Sequence, residues 1–192
     1  MNKSLNILIA DTQPVFRDGL DFVIRQRMDV NQIFHADKQR EVLSVLKDNA
    51  IDIIVMDFFL LDCSAIQIAR TIINRSFEGV VVFLTAEEVN NYSALAAKVG
   101  ARGCLSKNED SNAIVDAIVT ASKGYSIFKR DSLNERPPLS IREQTVFDYL
   151  IKGHNNQEIA NILSLSEKTI STYKSRVLRK FNAKSIVEIA TR

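Results

Sequence analysis

Five short apolar runs alternate with helix-like segments over the first 123 residues, and this alternation limits the chain to very few folds. Leu5–Ala10, Asn31–Ala36, Ile51–Asp57, Val80–Leu84 and Gly103–Ser106 read as strands. Pro14–Arg27, Gln39–Asn49, Ser64–Arg75, Val89–Val99 and Asn112–Lys123 read as the helices between and after them. The run V-V-V-F-L at 80–84 carries no polar residue. A strand of that kind is buried on both faces, as in a parallel sheet covered by helices. The expected fold is α/β, a five-stranded parallel doubly wound sheet. In the first helix Val15, Phe16, Leu20, Val23 and Ile24 are expected to face inward. Gln39–Asn49 should do the same with Val42, Leu43, Val45 and Leu46.

Such sheets place their ligand site at the carboxyl ends of the strands. Strand one ends at Asp11, strand three at Asp57, strand four at Thr85 and strand five at Lys107. A single carboxylate at a strand end is ordinarily just solvated. An acid pair, a hydroxyl and a lysine at four matching strand ends are much harder to dismiss as solvated groups.

The last third of the chain changes character. Ser140–Lys152, Asn156–Leu163 and 166–181 read as helices, and Ser185 opens a last short one. Ser140 with Glu143, Asn155 with Glu158 and Ser185 with Glu188 have capping-box spacing. Gly153 stops the first helix, and Ser164 and Leu165 leave only a tight turn before the long one. That is the spacing of a helix-turn-helix, whose second helix enters the major groove. In 166–181, Ile170, Tyr173, Val177 and Phe181 form an apolar stripe opposite Lys168, Ser171, Thr172, Ser175 and Arg179. From Lys168 to Val187 there are six Lys/Arg and no Asp/Glu. Cations and small hydroxyls without acids suit a phosphate backbone and a groove. Residues 137–192 hold nine basic and five acidic groups, a net +4, while 1–136 hold sixteen and eighteen, a net −2. Only the back of the chain is therefore expected to meet nucleic acid.

Other classes fit less well. No apolar run is long enough to span a membrane, and the N-terminal apolar stretch meets Asp11 at once and lacks a cleavage site, so it does not read as a signal peptide. Cys63 and Cys104 lack metal-site spacing and are expected to be buried, reduced thiols of a cytoplasmic protein. An enzyme on this sheet would need a glycine-rich phosphate loop or a nucleophile elbow, and the sequence has neither. In 124–138, Gly124 ends a helix and Pro137 and Pro138 keep helix from running on, which marks a linker. Tyr125, Ile127 and Phe128 are expected to dock rather than float.

L-S-I-R-E, G-H-N-N-Q-E-I-A and L-S-E-K-T-I-S-T-Y-K-S-R-V-L-R-K-F resemble the LuxR-type helix-turn-helix of NarL/FixJ response regulators, over 139–192. Tyr173 stands where most of that family has His. The strand-end set over 5–123 resembles the receiver domain of two-component response regulators, a flavodoxin-like fold. The domains expected are therefore a receiver-like domain at 1–123, a linker at 124–138 and a four-helix DNA-binding domain at 139–192. By the resemblance, Ser171, Thr172 and Ser175 face base edges, and Lys168, Thr169, Lys174, Arg176 and Arg179 are phosphate contacts. Asp57 would accept a phosphoryl group from a histidine kinase or a small phosphodonor, Asp11 and Asp57 would hold Mg²⁺, and Thr85 and Lys107 would meet the phosphate.

The chain departs from the receiver pattern in one region. Thr12 replaces the second of two adjacent acids, and an uncharged hydroxyl is a poorer ligand for a hard dication. Leu61 and Ala65 replace a Pro and a Gly, and Phe58 and Phe59 make the loop apolar. Cys104 replaces the aromatic expected three residues before the lysine. The reading is a DNA-binding transcription regulator, not an enzyme, in which Mg²⁺ binds weakly, no cofactor is required, and phosphorylation control is weak or absent. The alternative is a conventional regulator activated by phosphorylation of Asp57. Homodimers are expected, and a heterodimer with another regulator is a further option. An interaction protein that modulates a partner regulator without touching DNA is disfavoured by the cationic face.

Overall fold

The computed structural model describes residues 4–60, 64–86, 89–128 and 139–190. Leu61, Cys63, Pro137 and Pro138 fall outside these ranges, as does most of the expected linker. The chain divides into two compact units, Met1–Asn134 and Glu135–Arg192.

The first unit alternates β1 (Leu5–Ala10), α1 (Pro14–Arg27), β2 (Val30–Ala36), α2 (Gln39–Asp48), β3 (Ile53–Asp57), α3 (Ala65–Asn74), β4 (Val80–Thr85), α4 (Asn90–Lys98), β5 (Gly103–Ser106) and α5 (Ser111–Ser122). The strands form one parallel sheet in the order β2-β1-β3-β4-β5. The order reverses beside β1, between the crossovers that send helices to opposite faces. Side chains alternate across the sheet. Ile7, Ile9, Val55, Val82 and Leu84 pack with Leu20 and Ile24 of α1 and Ile114, Val115 and Ile118 of α5. Leu8, Ile54, Met56 and Phe83, one step out of phase, are also fully buried. Both faces of the central strands are dry, as the unbroken apolar runs require.

The inward face of α1 differs from expectation at one position. Leu20 and Ile24 are buried and Phe16 and Val23 pack partly, but Val15 is 85% exposed. Pro14 starts the helix at its first position, and the 100° steps from Leu20 and Ile24 carry Val15 round to solvent. In α2 Val42 is buried, and Leu43, Val45 and Leu46 are only partly so.

After α5, Gly124 takes a left-handed φ of 91° and turns the chain back toward the sheet. Ile127 then packs on the first unit's core, and its N–H donates to the Arg102 carbonyl at 2.8 Å. Gly103 makes a parallel bridge with Ile127. A Cβ on Gly103 would collide with the Ile127 side chain, so glycine is required there. Tyr125 remains 65% exposed.

The second unit contains α6 (Ile141–Ile151), α7 (Asn156–Leu163), α8 (Glu167–Lys180) and α9 (Ile186–Ala190). Reciprocal capping boxes form at Ser140/Glu143 and Asn155/Glu158. At the last helix the Ser185 hydroxyl accepts from the Glu188 N–H, but the Glu188 carboxylate reaches the Lys184 N–H, one residue before the expected cap. The turn between α7 and α8 is made by Ser164 in the left-handed region (φ 52°), with the Leu165 N–H donating to the Ala160 carbonyl at 2.9 Å. The apolar stripe of α8 serves two clusters. Ile170 and Tyr173 pack with Val146, Ile159 and Ala160. Val177 and Phe181 pack with Leu139, Phe147 and Ile189. One helix thus ties both halves of the unit together.

Glu143 links α6 to the end of α8. It is 4% exposed, caps the Ser140 N–H at 2.7 Å and takes a 2.7 Å ion pair from Lys180. Burial alone would raise its carboxyl pKa. The bonds from Lys180 and Ser140 outweigh that and hold it below the usual range. Because the folded value is depressed, the stabilisation is present at neutral pH and is lost as pH falls through that folded value. Glu143→Gln should cost about 2 kcal/mol at pH 7, mostly through the cap and the loss of a buried partner. Calorimetry of the full chain should find the gap to wild type narrowing on acidification. A gap independent of pH would contradict this role.

Candidate functional site

Register aligns the first site. Ala10 lies opposite Met56, Asp57 opposite Leu84, and Thr85 opposite Ser106. The residues that end or follow these strands therefore share one rim. Asp11 is 2% exposed, Asp57 7% and Thr85 fully buried. The Lys107 ammonium lies 2.6 Å from Asp11 Oδ2 and also contacts Asp57 Oδ2, so one monovalent cation bridges two carboxylates. Asp57 Oδ1 accepts from the Phe59 N–H at 3.0 Å, and Asp11 Oδ1 from the Gln13 N–H at 2.8 Å. Burial pushes the Asp57 carboxyl above its ordinary value. Lys107 pulls it back, and the neighbouring Asp11 adds to the rise. Thr12 sits half-exposed at the edge.

Two neighbours were not singled out for this site by the sequence. The Phe16 ring lies under the Lys107 ammonium, 4.7 Å from its centroid, a cation–π contact that steadies the lysine. Arg17 donates to the Asp11 carbonyl oxygen. Phe16 read only as a core residue of α1. Its i, i+5 spacing from Asp11 is the signal that could have placed it on the rim.

Below the rim an aromatic stack occupies the β4–α4 side. Phe58 stacks on Phe83 at 4.3 Å and meets Tyr92 at a tilt at 4.6 Å, and Phe59 meets Tyr92 edge-on at 6.1 Å. Phe58 and Tyr92 are 4% and 3% exposed. Cys104 is buried nearby on β5. Its thiol is pushed up to about 12 by burial, partly offset by a bond to Ser93, and is thus an inert, protonated group. The two phenylalanines that made the loop look unusual are a packed link from the residue after Asp57 to α4.

Asp11 and Asp57 are the two carboxylates at this rim, and the neutral Thr12 follows Asp11. Among the described residues no cluster of three or more His, Cys, Asp or Glu is arranged to hold a metal.

The second site is the outer face of α8. Ser166 caps it through the Thr169 N–H at 3.1 Å. Lys168, Ser171, Thr172, Ser175, Arg176 and Arg179 are exposed, while Thr169 and Lys174 are half-buried. The Thr169 hydroxyl bonds Ser166 at 2.8 Å. The hydroxyls of Thr172 and Ser175 donate back to the carbonyls of Lys168 and Ser171, at 2.9 and 3.0 Å. Their protons are engaged, so toward the outside they present acceptor oxygens. Lys180, beyond this face, turns to Glu143 instead.

Two family models match. Residues 7–119 match the response regulator receiver domain, and residues 137–192 match the bacterial regulatory proteins of the luxR family. The chain belongs to the NarL/FixJ-type two-component response regulators. It is a DNA-binding transcription regulator and not an enzyme. The Fimbriae Z protein of Escherichia coli K12 is 30% identical over 199 residues, covering 97% of this chain and 95% of that one. The DNA-binding transcriptional activator EvgA of the same strain is 33% identical over 151 residues, 73% of this chain and 74% of that one. A solved structure of two RcsB dimers bound to two parallel DNAs matches with a TM-score of 0.80 at 20% identity, over 97% of this chain and 96% of that one, a likeness of fold.

Within this response regulator, Lys107 contacts both Asp11 and Asp57, and Thr85 joins them through its backbone, whose carbonyl accepts from the Lys107 N–H at 2.8 Å. Thr12→Asp should restore a third hard anionic ligand and raise Mg²⁺ affinity about tenfold, read by calorimetric titration of the full chain. Unchanged affinity would mean that Thr12 is not the weak point of the donor set.

Proposed function

We propose that this response regulator binds duplex DNA as a homodimer through α8, with DNA affinity only weakly coupled, or not coupled, to Mg²⁺-dependent phosphorylation of Asp57. The observation that carries the second half is the pocket's charge balance. Two carboxylates already share the Lys107 ammonium, and the position beside Asp11 is the uncharged Thr12. Mg²⁺ would be held by Asp11 and Asp57, with water completing its shell, and would offset the negative charge of an incoming phosphoryl oxygen. It must compete with Lys107 for those oxygens, and a threonine hydroxyl gives it little help.

Transmission is the second obstacle. A phosphoryl group shifts a two-state equilibrium only by its differential interaction with the two states. Cys104 is too small to carry a ring movement, and the Phe58–Phe83–Tyr92 stack fills the adjoining space. A second reading, the conventional phosphorylation-switched regulator, draws support from Asp57, Thr85 and Lys107 all lying on one rim; in that reading a histidine kinase is the partner.

On DNA, α8 lies in the major groove, with Ser171, Thr172 and Ser175 toward base edges and Lys168, Thr169, Lys174, Arg176 and Arg179 toward phosphates. The engaged protons of Thr172 and Ser175 favour bases that offer an amino donor. One small helix-turn-helix covers little DNA, so two copies on half-sites about one helical turn apart supply specificity, in line with the dimers of the RcsB structure. Pairing with a different regulator on mixed half-sites is an extension of the same geometry. A duplex-DNA target implies action in the cytoplasm, and among the described residues no helix is long and apolar enough to cross a membrane.

Mg²⁺ with acetyl phosphate should change DNA affinity less than about threefold, under roughly 0.7 kcal/mol, and Asp57→Ala should retain most binding. Rapid stoichiometric labelling of Asp57 with a large gain in affinity would establish the conventional reading instead. Lys174→Ala and Arg179→Ala should each weaken binding to all sequences and lower the salt slope by about one. An unchanged slope in both would move the docking face off α8.

A further inference from the structure

Tyr173 has two surroundings. One side of its ring packs with Ile159, Ala160 and Ile170 in the second unit's core. The rest stays half-exposed, and the Arg176 guanidinium carbon lies 5.9 Å from the ring centroid. Arg176 follows three residues later, so the helix itself brings the two side chains onto one face. Arg176 is exposed, and among the described residues no acid pairs with it. The other arginine on this face, Arg179, has no aromatic ring beneath it among the described contacts.

We propose that Tyr173 is a positioning residue for DNA binding: its core-anchored ring holds the Arg176 guanidinium in a fixed plane toward the phosphate backbone. This rests on the reading that α8 is the DNA-binding helix. The physical basis is entropy. A free arginine loses its rotamer freedom when it grips a phosphate, whereas one already lying against a ring has lost part of it beforehand. The ring is fixed by the core, so the helix supplies a rigid base for a long side chain. The attraction of a guanidinium for an aromatic face leaves its N–H edge free to donate to phosphate oxygens. Tyr173 need not touch DNA to act.

The test is a double-mutant cycle on the full chain, with a random-sequence duplex of about two helical turns as probe, titrated at several salt concentrations. Tyr173→Phe keeps the ring and should bind like wild type. Tyr173→Leu keeps an apolar side chain against Ile159 but loses the ring, and should bind about threefold more weakly. In the Arg176→Ala background the same Tyr173→Leu change should have no further effect. If the threefold loss persists there, Tyr173 acts only through packing and the proposal fails. It fails equally if Tyr173→Leu binds like wild type. Should Tyr173→Leu not fold, Arg176→Lys decides. Lysine keeps the charge but has no planar group to stack, so affinity should fall about twofold with the salt slope unchanged; an unchanged affinity overturns the proposal. The salt slopes of Lys174→Ala and Arg179→Ala report separately on α8. If those slopes fall while the cycle shows no coupling, the DNA-binding helix stands and the positioning role is wrong. If neither slope falls, both are wrong.

Discussion

The Lys107 ammonium holds together two carboxylates that would otherwise repel in a nearly dry rim. Asp11, Asp57 and the Lys107 side chain are each less than a tenth exposed. Burying one charge of that kind without partners costs several kcal/mol, and burying two of like sign costs more. The parallel register brings them together, since β1, β3 and β5 end at matching heights in one sheet. Phe16 beneath the ammonium and the N–H groups of Gln13 and Phe59 complete the arrangement. The result is a pocket in which one monovalent cation is shared by two carboxylates.

Phe58 follows the phosphoacceptor candidate directly and is clamped between Phe83 and Tyr92. Rings packed at 4–5 Å resist independent movement, because shifting one forfeits contacts with both neighbours. Under the proposed weak phosphorylation control, Thr12 would limit how strongly the pocket can be charged, and the stack would limit how far a local change travels.

The fold was readable because its periodicities are strong. Unbroken apolar runs announced the parallel strands, and the strand ends lined up without further information. Capping boxes placed the starts of α6 and α7. The exceptions have physical causes. Val15 was counted inward because it is apolar, yet Pro14 fixes the start of α1 and the turn angle leaves Val15 in solvent. The Glu188 cap slips by one residue to Lys184 because α9 is a short helix with little else to fix its start. In the site, Asp11, Asp57 and Lys107 were legible as strand ends. Phe16, Arg17 and Tyr92 were not, since their roles depend on which helix face meets which strand. The use of Thr172 and Ser175 hydroxyls against their own helix was equally invisible in a list of polar residues.

Weak phosphorylation control requires that change in the pocket does not reach α4. The most direct measurement is a set of backbone amide NMR shifts in the full chain, before and after saturating Mg²⁺ with beryllofluoride as a phosphoryl mimic. Shifts should be confined to the rim around Asp11, Asp57, Thr85 and Lys107, with Tyr92 and Leu95 unmoved. Large shifts spreading through Phe58 and Tyr92 along α4 would contradict it.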